Sequence, residues 1–489
     1  MSFSGPVQNR VLTGALGRNE ALRNGLPAVP AISLALLVAG PWLQPGYIFG
    51  TDWPGPARFE LPVEVSSSAP VQVVLATISW VVGAEATGKL LVFAILAGGA
   101  LAAYLAVPIA GFVGRAGGAT LFIANPFVFG RLHYGQLYLL AGYAVLPWMA
   151  SRLRTLCAEP RWKNAVLFAA SISLVGMFTA HLFLVALVLS GVVFLAHVSF
   201  HAHRGAHLKS SAPALALAAG LTFVICSYWL LPMLVGFGSD AAVIAGTGAG
   251  LLRAYAAVPD RSLGLIPNLL GLYGFWAEDA RRFTSMKAFA PMWPVALVVV
   301  IAVSAIGAAV AIRGSQRSVR GWVVGLIVAA AIGLILEMGL SHPLTEGLVQ
   351  WLDSNVPLYR GMRDAGKWAA LLALVYSQLF GLGANEIVRQ IRKLDLNAVH
   401  REWLGGAAIG LFLAVPLYYG NGLLFGMHGE IKPSKYPAGW YQADRLLARD
   451  AHPGWSLFLP WHEYMSYSFI RNQNNVVASP APTFFSVPI

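Results

Sequence analysis

Eleven apolar runs, separated by short polar stretches, occupy most of the chain between residues 29 and 425. They fall at about 29–49, 88–113, 116–131 and 137–151, twice within 164–200, then at 212–235, 291–312, 321–340, 366–385 and 403–425. A helix needs about twenty apolar residues to cross a bilayer. The stretch 164–200 is too long for one crossing and long enough for two short ones, so it reads as a pair that reverses near His181. Residues 70–84 are apolar but short, and predict a helix lying in the interface. The pattern predicts an all-α polytopic membrane protein with about 11 transmembrane helices. The tail changes character: Ser456–Pro460 and Asn475–Val477 read as short strands between turns, which predicts a small C-terminal α/β or β segment. Its apolar ending, Ser486 to Ile489, suggests continuation into a longer domain.

Composition agrees with this pattern. Of 489 residues, 57% are hydrophobic and only 11% are charged, against about 25% charged in soluble domains. The formal charge is +12. The basic residues come in short clusters between apolar runs, which argues for cytoplasmic loops and against a nucleic-acid partner. Arg152, Arg154, Arg161 and Lys163 form one cluster; Arg204 and Lys209, then Arg313, Arg317 and Arg320, then Arg389, Arg392 and Lys393 form others. Arg115 marks a sparser turn. The first loop on the opposite side holds Asp52, Glu60 and Glu64 against Arg58. This bias predicts a cytoplasmic segment 1–28 and a transmembrane region 29–425. Extracytoplasmic loops are expected at 50–87, 236–289 and 341–365, and an extracytoplasmic tail at 426–489. The expected location is the plasma membrane. A single crossing within 164–200 would turn the later basic clusters outward, against the bias. The first run follows more than twenty polar residues and lacks a cleavage pattern, so it reads as an anchor. Cys157 and Cys226 fall in an inner loop and a span, which disfavours a disulfide, and no zinc-ligand spacing occurs.

Three polar stretches on the outer side carry the candidate chemistry. In Gly50-Thr51-Asp52-Trp53-Pro54-Gly55-Pro56, Asp52 is a carboxylate at the membrane edge, able to accept a proton from an attacking hydroxyl. An aspartate in a tight loop can equally serve an Asx turn or a helix cap. The stretch Tyr359 to Lys367 carries Arg360, Arg363 and Lys367 at i, i+3 and i+7, one helical face. At a helix start they compose an anion site; the alternative is an interfacial cluster on lipid headgroups, with Asp364 paired to a neighbour. In the outer turn Asn125 to Gln136, Arg131 can hold a phosphate oxygen, while Asn125, His133 and Gln136 can bond sugar hydroxyls. A capped hairpin satisfying its own backbone is the plainer reading. His181, at a span reversal, is a further candidate beside the commoner structural role. In the long loop, Asn268, Tyr273, Trp276, Glu278 and Asp279 can contact an acceptor glycan, although loop aromatics also anchor to membranes. His462-Glu463 lacks the second histidine of a metalloprotease motif.

With the outer aspartate, the Asn125-Pro126-Phe127…Arg131…Gly135-Gln136 turn and the segment Tyr359–Trp368, the chain resembles the GT-C-type polytopic membrane glycosyltransferases. Within them it is most similar to actinobacterial and archaeal proteins related to arabinofuranosyltransferases. The resemblance covers roughly residues 30–425. It implies a polyprenyl-phosphate-linked sugar donor, a glycan or lipid acceptor outside the cell, and a base in the first outer loop, which by position is Asp52. Members often carry two adjacent acids there; here Trp53 follows Asp52. By the same resemblance Arg360, Arg363, Lys367 and Arg131 would hold the donor phosphate. No cofactor and no metal site are expected. Two other classes compete with this one. A transporter or flippase of a lipid-linked substrate would place ionisable residues near the midplane, but Lys89 and Glu337 lie near span ends. A non-catalytic protein of envelope assembly would need none of these groups to converge.

Overall fold

The computed structural model describes residues 27–108, 111–246, 249–278, 283–314, 316–449, 454–460 and 462–489. The expected N-terminal segment lies outside the described residues except for Pro27 and Ala28, and Asp279 lies outside them too.

Each apolar run forms a helix. In chain order these are α1 (Ala28–Ala39), α2 (Ala69–Val82), α3 (Ala84–Ala106), α4 (Phe112–Ile123), α5 (Pro126–Tyr134), α6 (Leu137–Ala158), α7 (Trp162–Phe178), α8 (Ala180–Phe200), α9 (Arg204–Leu234), α10 (Trp293–Arg313), α11 (Arg317–Met338), α12 (Ala369–Ile391) and α13 (Ala398–Tyr419). The pair at 162–200 does reverse beside His181, at Thr179. Among the described residues seven helices are long and apolar enough to cross a membrane: α3 and α8 to α13. The bent pair α4–α5 makes an eighth. Length and composition alone thus support seven or eight crossings, not the expected eleven. Helices α1 and α7 are apolar but shorter. Helix α6 is long, but protein surrounds most of its surface, so it need not be apolar all round.

Of the seven candidate spans, α12 is the most deeply enclosed. It packs extensively on α4, α10 and α11. Its approach to α10 is backbone on backbone, since Gly307 and Gly383 leave no room for a side chain on either helix. Small residues permit such close crossings where lipid supplies no hydrophobic drive between helices.

Residues 125–136 are not the expected outer turn. Asn125 caps a helix by accepting from Val128 N at 3.1 Å, and Pro126 occupies its first position. The helix ends at Gly135, which is left-handed at φ 85°. Every residue of α5 is buried.

The tail wraps over one end of this bundle. Strands β1 (Tyr464–Ser466) and β2 (Val476–Ala478) pair antiparallel, with Tyr464 opposite Ala478. The run Asn475–Val477 supplies most of β2, whereas Ser456–Pro460 forms no strand. The tail has its own aromatic core of Tyr436, Tyr467, Phe484 and Phe485, which Phe49 of the first loop joins. Trp42 Nε1 donates to Ile431 O at 3.0 Å, and Tyr47 forms a backbone bridge with Ser434. These bonds fasten the tail to the chain on both sides of Gly46, directly before Asp52.

Candidate functional site

The loop that carries Asp52 is clamped from two sides. Asp52 N donates to Tyr134 O at 2.7 Å, and Ala478 N of β2 donates to Thr51 O at 2.7 Å. Gly50 and Trp53 close a short bridge between them. The clamp depends on glycine at 135. A Cβ there would lie 2.7 Å from Trp53 Cβ and 2.8 Å from Trp53 N, and the positive φ already disfavours a side chain. Gly135→Ala is therefore expected to displace the Asp52 loop and to lower stability by about 1–3 kcal/mol through overpacking. Thermal unfolding in detergent measures this, and a wild-type midpoint would show that the clamp is looser than described.

Asp52 is half-buried and both carboxylate oxygens are engaged. Gln136 Nε2 donates to Oδ2 at 3.1 Å, and Tyr464 OH donates to Oδ1 at 3.0 Å. Burial pushes its pKa above the ordinary 3.8, while the bonds from Gln136 and Tyr464 and the charge of Arg131 hold the rise in check. Gln136 is itself oriented: its Oε1 accepts from Arg131 Nη1 at 2.8 Å, so the amide nitrogen must face Asp52. Arg131 is 1% exposed and forms a two-pronged ion pair with Asp364. Its guanidinium lies 4.1 Å from the centre of the Phe275 ring. Asp364 also accepts from Gly366 N at 3.1 Å. Burial alone would raise its pKa, but the charge and bonds of Arg131 outweigh that and hold it below the carboxylate range.

A cavity of about 610 Å³ opens beside this chain of bonds. Asp52, Gln136, Lys367 and His181 line it, with Asp240, Arg58 and Glu60 also contributing. Phe59, Leu61, Tyr138, Leu139 and Phe178 give it an apolar wall. Lys367 is 7% exposed and lies within electrostatic reach of Asp364, Arg131, Arg363 and Asp52. Its ammonium has no hydrogen-bond partner among the described residues. With Arg131 spent on Asp364, Lys367 is the cavity's buried cation with bonding capacity to spare. His181 has none: Nε2 meets Gly361 O at 2.9 Å and Nδ1 meets Thr179 Oγ1 at 3.0 Å. A carbonyl only accepts, so Nε2 carries the proton and Nδ1 takes the threonine's.

The remaining candidates lie elsewhere. Arg360, Arg363 and Lys367 do not share a helical face, because a short helix ends at Arg360 and the chain turns through Gly361 to Asp364. Arg360 is exposed and donates to Asp353 O at 3.2 Å. Arg363 lies 5.0 Å from the Tyr255 ring centre. Asn125 is wholly buried, its amide donating to Leu121 O at 3.0 Å and Phe122 O at 2.7 Å. His133 is also buried and pairs with Glu430 of the tail at 2.9 Å. Asn268 bonds Lys287 and Val258 O. Trp276 packs edge-on against Tyr134 and Tyr255. Of these residues Lys367 alone lines the cavity. Among the described residues no group of three or more His, Cys, Asp or Glu is arranged to hold a metal ion. Sequence reasoning passed over Tyr464 and Asp240, and it did not foresee Arg131 as the partner of Asp364. The one legible signal was an acid embedded in a basic segment.

The helical bundle with a buried charged cavity at one end is similar in fold to a solved membrane glycosyltransferase. The structure of the arabinofuranosyltransferase AftD from Mycobacteria is similar over 96% of this chain, with a TM-score of 0.56 and 17% identity. The match takes in 33% of that chain, so the protein spans about a third of the length of this neighbour. The archaeal oligosaccharyltransferase AglB from Archaeoglobus fulgidus, in complex with an inhibitory peptide and a dolichol-phosphate, gives a TM-score of 0.46 at 11% identity, over 91% of this chain and 62% of that one. No family model matches the sequence, and no curated protein matches it.

Proposed function

We propose that the protein transfers a sugar from a polyprenyl-phosphate donor to a glycan or lipid acceptor at the outer face of the plasma membrane, with Asp52 as general base. The observation that carries this reading is one cavity with a half-buried carboxylate, a buried unbonded ammonium at Lys367 and an apolar wall. An isoprenoid phosphate needs the last two, and an acceptor hydroxyl needs the first. The neighbouring arabinofuranosyltransferase structure is consistent with it.

In the proposed step the acceptor oxygen attacks the anomeric carbon. Its proton passes to Asp52, and the bond from the anomeric carbon to the phosphate oxygen breaks. The polyprenyl phosphate leaves with the bonding pair, so negative charge grows on it as the bond lengthens. A fixed cation placed there stabilises that charge more than the ground state, which is the condition for catalysis. We assign this role to Lys367. Arg131 acts at one remove, through Gln136. Arg360 and Arg363, by their positions, are left out of the donor site.

The outer orientation rests on the two ends of α8. It starts at the cavity, beside His181, and runs 21 residues, about 30 Å, to Phe200, with His197 in its last turn. His197, His201 and Arg317 line a second, smaller cavity. Arg317 belongs to a basic cluster, which marks the cytoplasmic side.

The test is transfer by the purified chain in liposomes that contain a polyprenyl-phosphate sugar, followed against pH. The base works ionised, so activity is retained above its pKa and lost as pH falls through it. Because that pKa is raised, the acid limb is expected above pH 3.8. Liposomes that yield no glycosylated product with any polyprenyl-phosphate sugar would overturn the reading.

A further inference from the structure

The two hydrogen bonds on Asp52 are unlike each other. Gln136 is locked by Arg131 and half-buried, so its bond to Oδ2 is permanent scaffolding. The bond from Tyr464 to Oδ1 is exposed, and the tyrosine itself is 41% exposed. The backbone of the β1–β2 hairpin is fastened beside the Asp52 loop, through Ala478 N to Thr51 O. The Tyr464 ring can therefore swing about its own side-chain bonds without moving the hairpin. What the phenol presents to Asp52 is a hydroxyl 3.0 Å away, on the solvent side, donating its proton. That is the geometry a general base needs toward the hydroxyl it deprotonates.

We infer that Tyr464 is an internal stand-in for the acceptor: its hydroxyl occupies the place on Asp52 Oδ1 that the acceptor hydroxyl takes, and the acceptor enters by displacing it. The inference rests on the reading of Asp52 as base. It adds a regulation of that site. In the resting state the base is capped by the phenol, which takes one acceptor position on Oδ1. A donor held in the cavity is thereby protected from hydrolysis until an acceptor hydroxyl competes with the phenol. The chemistry selects acceptors with a free alcohol that approaches from the tail side. Two features of the titration agree. Tyr464 is pushed up by burial and by the neighbouring charge of Asp52, so it stays a protonated donor. Its bond to Asp52 lowers the pKa of the acid, so removing it leaves a stronger base.

The test uses the purified full chain and a water-soluble carbodiimide with glycine ethyl ester, with labelling of Asp52 read by mass spectrometry. Glycerol serves as a small polyol in place of the acceptor. Tyr464→Ala removes both bulk and hydroxyl, and Tyr464→Phe removes the hydroxyl alone. Both variants are expected to label faster than wild type, Tyr464→Ala the more so. The deciding measurement is protection. Glycerol is expected to suppress labelling of Tyr464→Ala at a concentration about tenfold lower than in wild type, the scale of one competing hydrogen bond to a charged group. A tyrosine that merely positions Asp52 would also change the labelling rate, but would leave the glycerol midpoint where it is. Equal midpoints in wild type and both variants overturn the inference. Labelling reports only what occupies Oδ1, so its outcome is separate from whether the chain transfers sugar.

Discussion

Asparagine at position 52 is expected to abolish sugar transfer while the bundle stays folded. A positioned general base contributes about 10²–10⁴-fold to rate, and among the described residues no other carboxylate is placed to replace this one. Glu60 lines the same cavity but is exposed, so nothing fixes it near the reacting hydroxyl. Asp240 also lines it, but its oxygens are taken by Ser67 N at 2.6 Å and Ser67 Oγ at 3.3 Å. The substitution changes little in shape. Asparagine keeps one acceptor oxygen for Gln136 or Tyr464, and the phenol can turn to accept from the new amide. Folding should therefore lose no more than about 1 kcal/mol, the scale of one hydrogen bond. Two measurements are needed together: transfer in liposomes, and the thermal midpoint of the same preparation. Full turnover with an unchanged midpoint would remove Asp52 from the chemistry, and with it the proposed mechanism.

The helices could be read from hydropathy because most apolar runs exceed the length of any strand and end at charges. The reversal at Thr179 was legible for the same reason, since 164–200 is too long for one crossing. The number of crossings was not. Helix α6 carries Arg152 and Arg154 near its end and is enclosed by protein rather than lipid, a distinction that hydropathy does not draw. The stretch 125–136 was misread in a specific way. Asn-Pro signals a break, and there is one, but the same pair also starts a helix, with asparagine as cap and proline in the first turn. Spacing also misled at Arg360, Arg363 and Lys367. Periodicity assumes an unbroken helix, and Gly361 to Asp364 interrupts it. The contacts that define Asp52's surroundings run from residue 52 to 136, 464 and 478, and from 131 to 364. No local pattern announces such pairings. Tyr464 in particular lies in a tail whose composition gives no reason to look there.

Asp364→Asn is expected to be the most destabilising single change in the site. Asp364 lies between cations. Arg131 grips both its oxygens, and Lys367 also acts on its charge. Removing one partner of a buried ion pair costs about 3–5 kcal/mol, because the other is left charged without compensation. Here the removal leaves Arg131 buried without its counter-charge, within electrostatic reach of Lys367. Arg131→Met is the milder change by this argument, since Lys367 remains near Asp364. Its functional cost is greater than its structural one, however, because Gln136 loses the bond that turns its amide toward Asp52. The double variant Arg131→Met with Asp364→Leu should recover part of the stability, as apolar replacements of buried pairs often do, but not the activity. The pH dependence has a definite sign. The folded pKa of Asp364 is depressed, so the pair's contribution is present above the ordinary aspartate value and fades as pH falls toward the depressed one. Wild-type midpoints in detergent should therefore drop in acid by more than those of the double variant. If the single asparagine variant melts with wild type at neutral pH, then water reaches Asp364 and Arg131. The pair would then be a solvated contact, not the keystone between α5 and the start of α12, and Gln136 would need another reason to face Asp52.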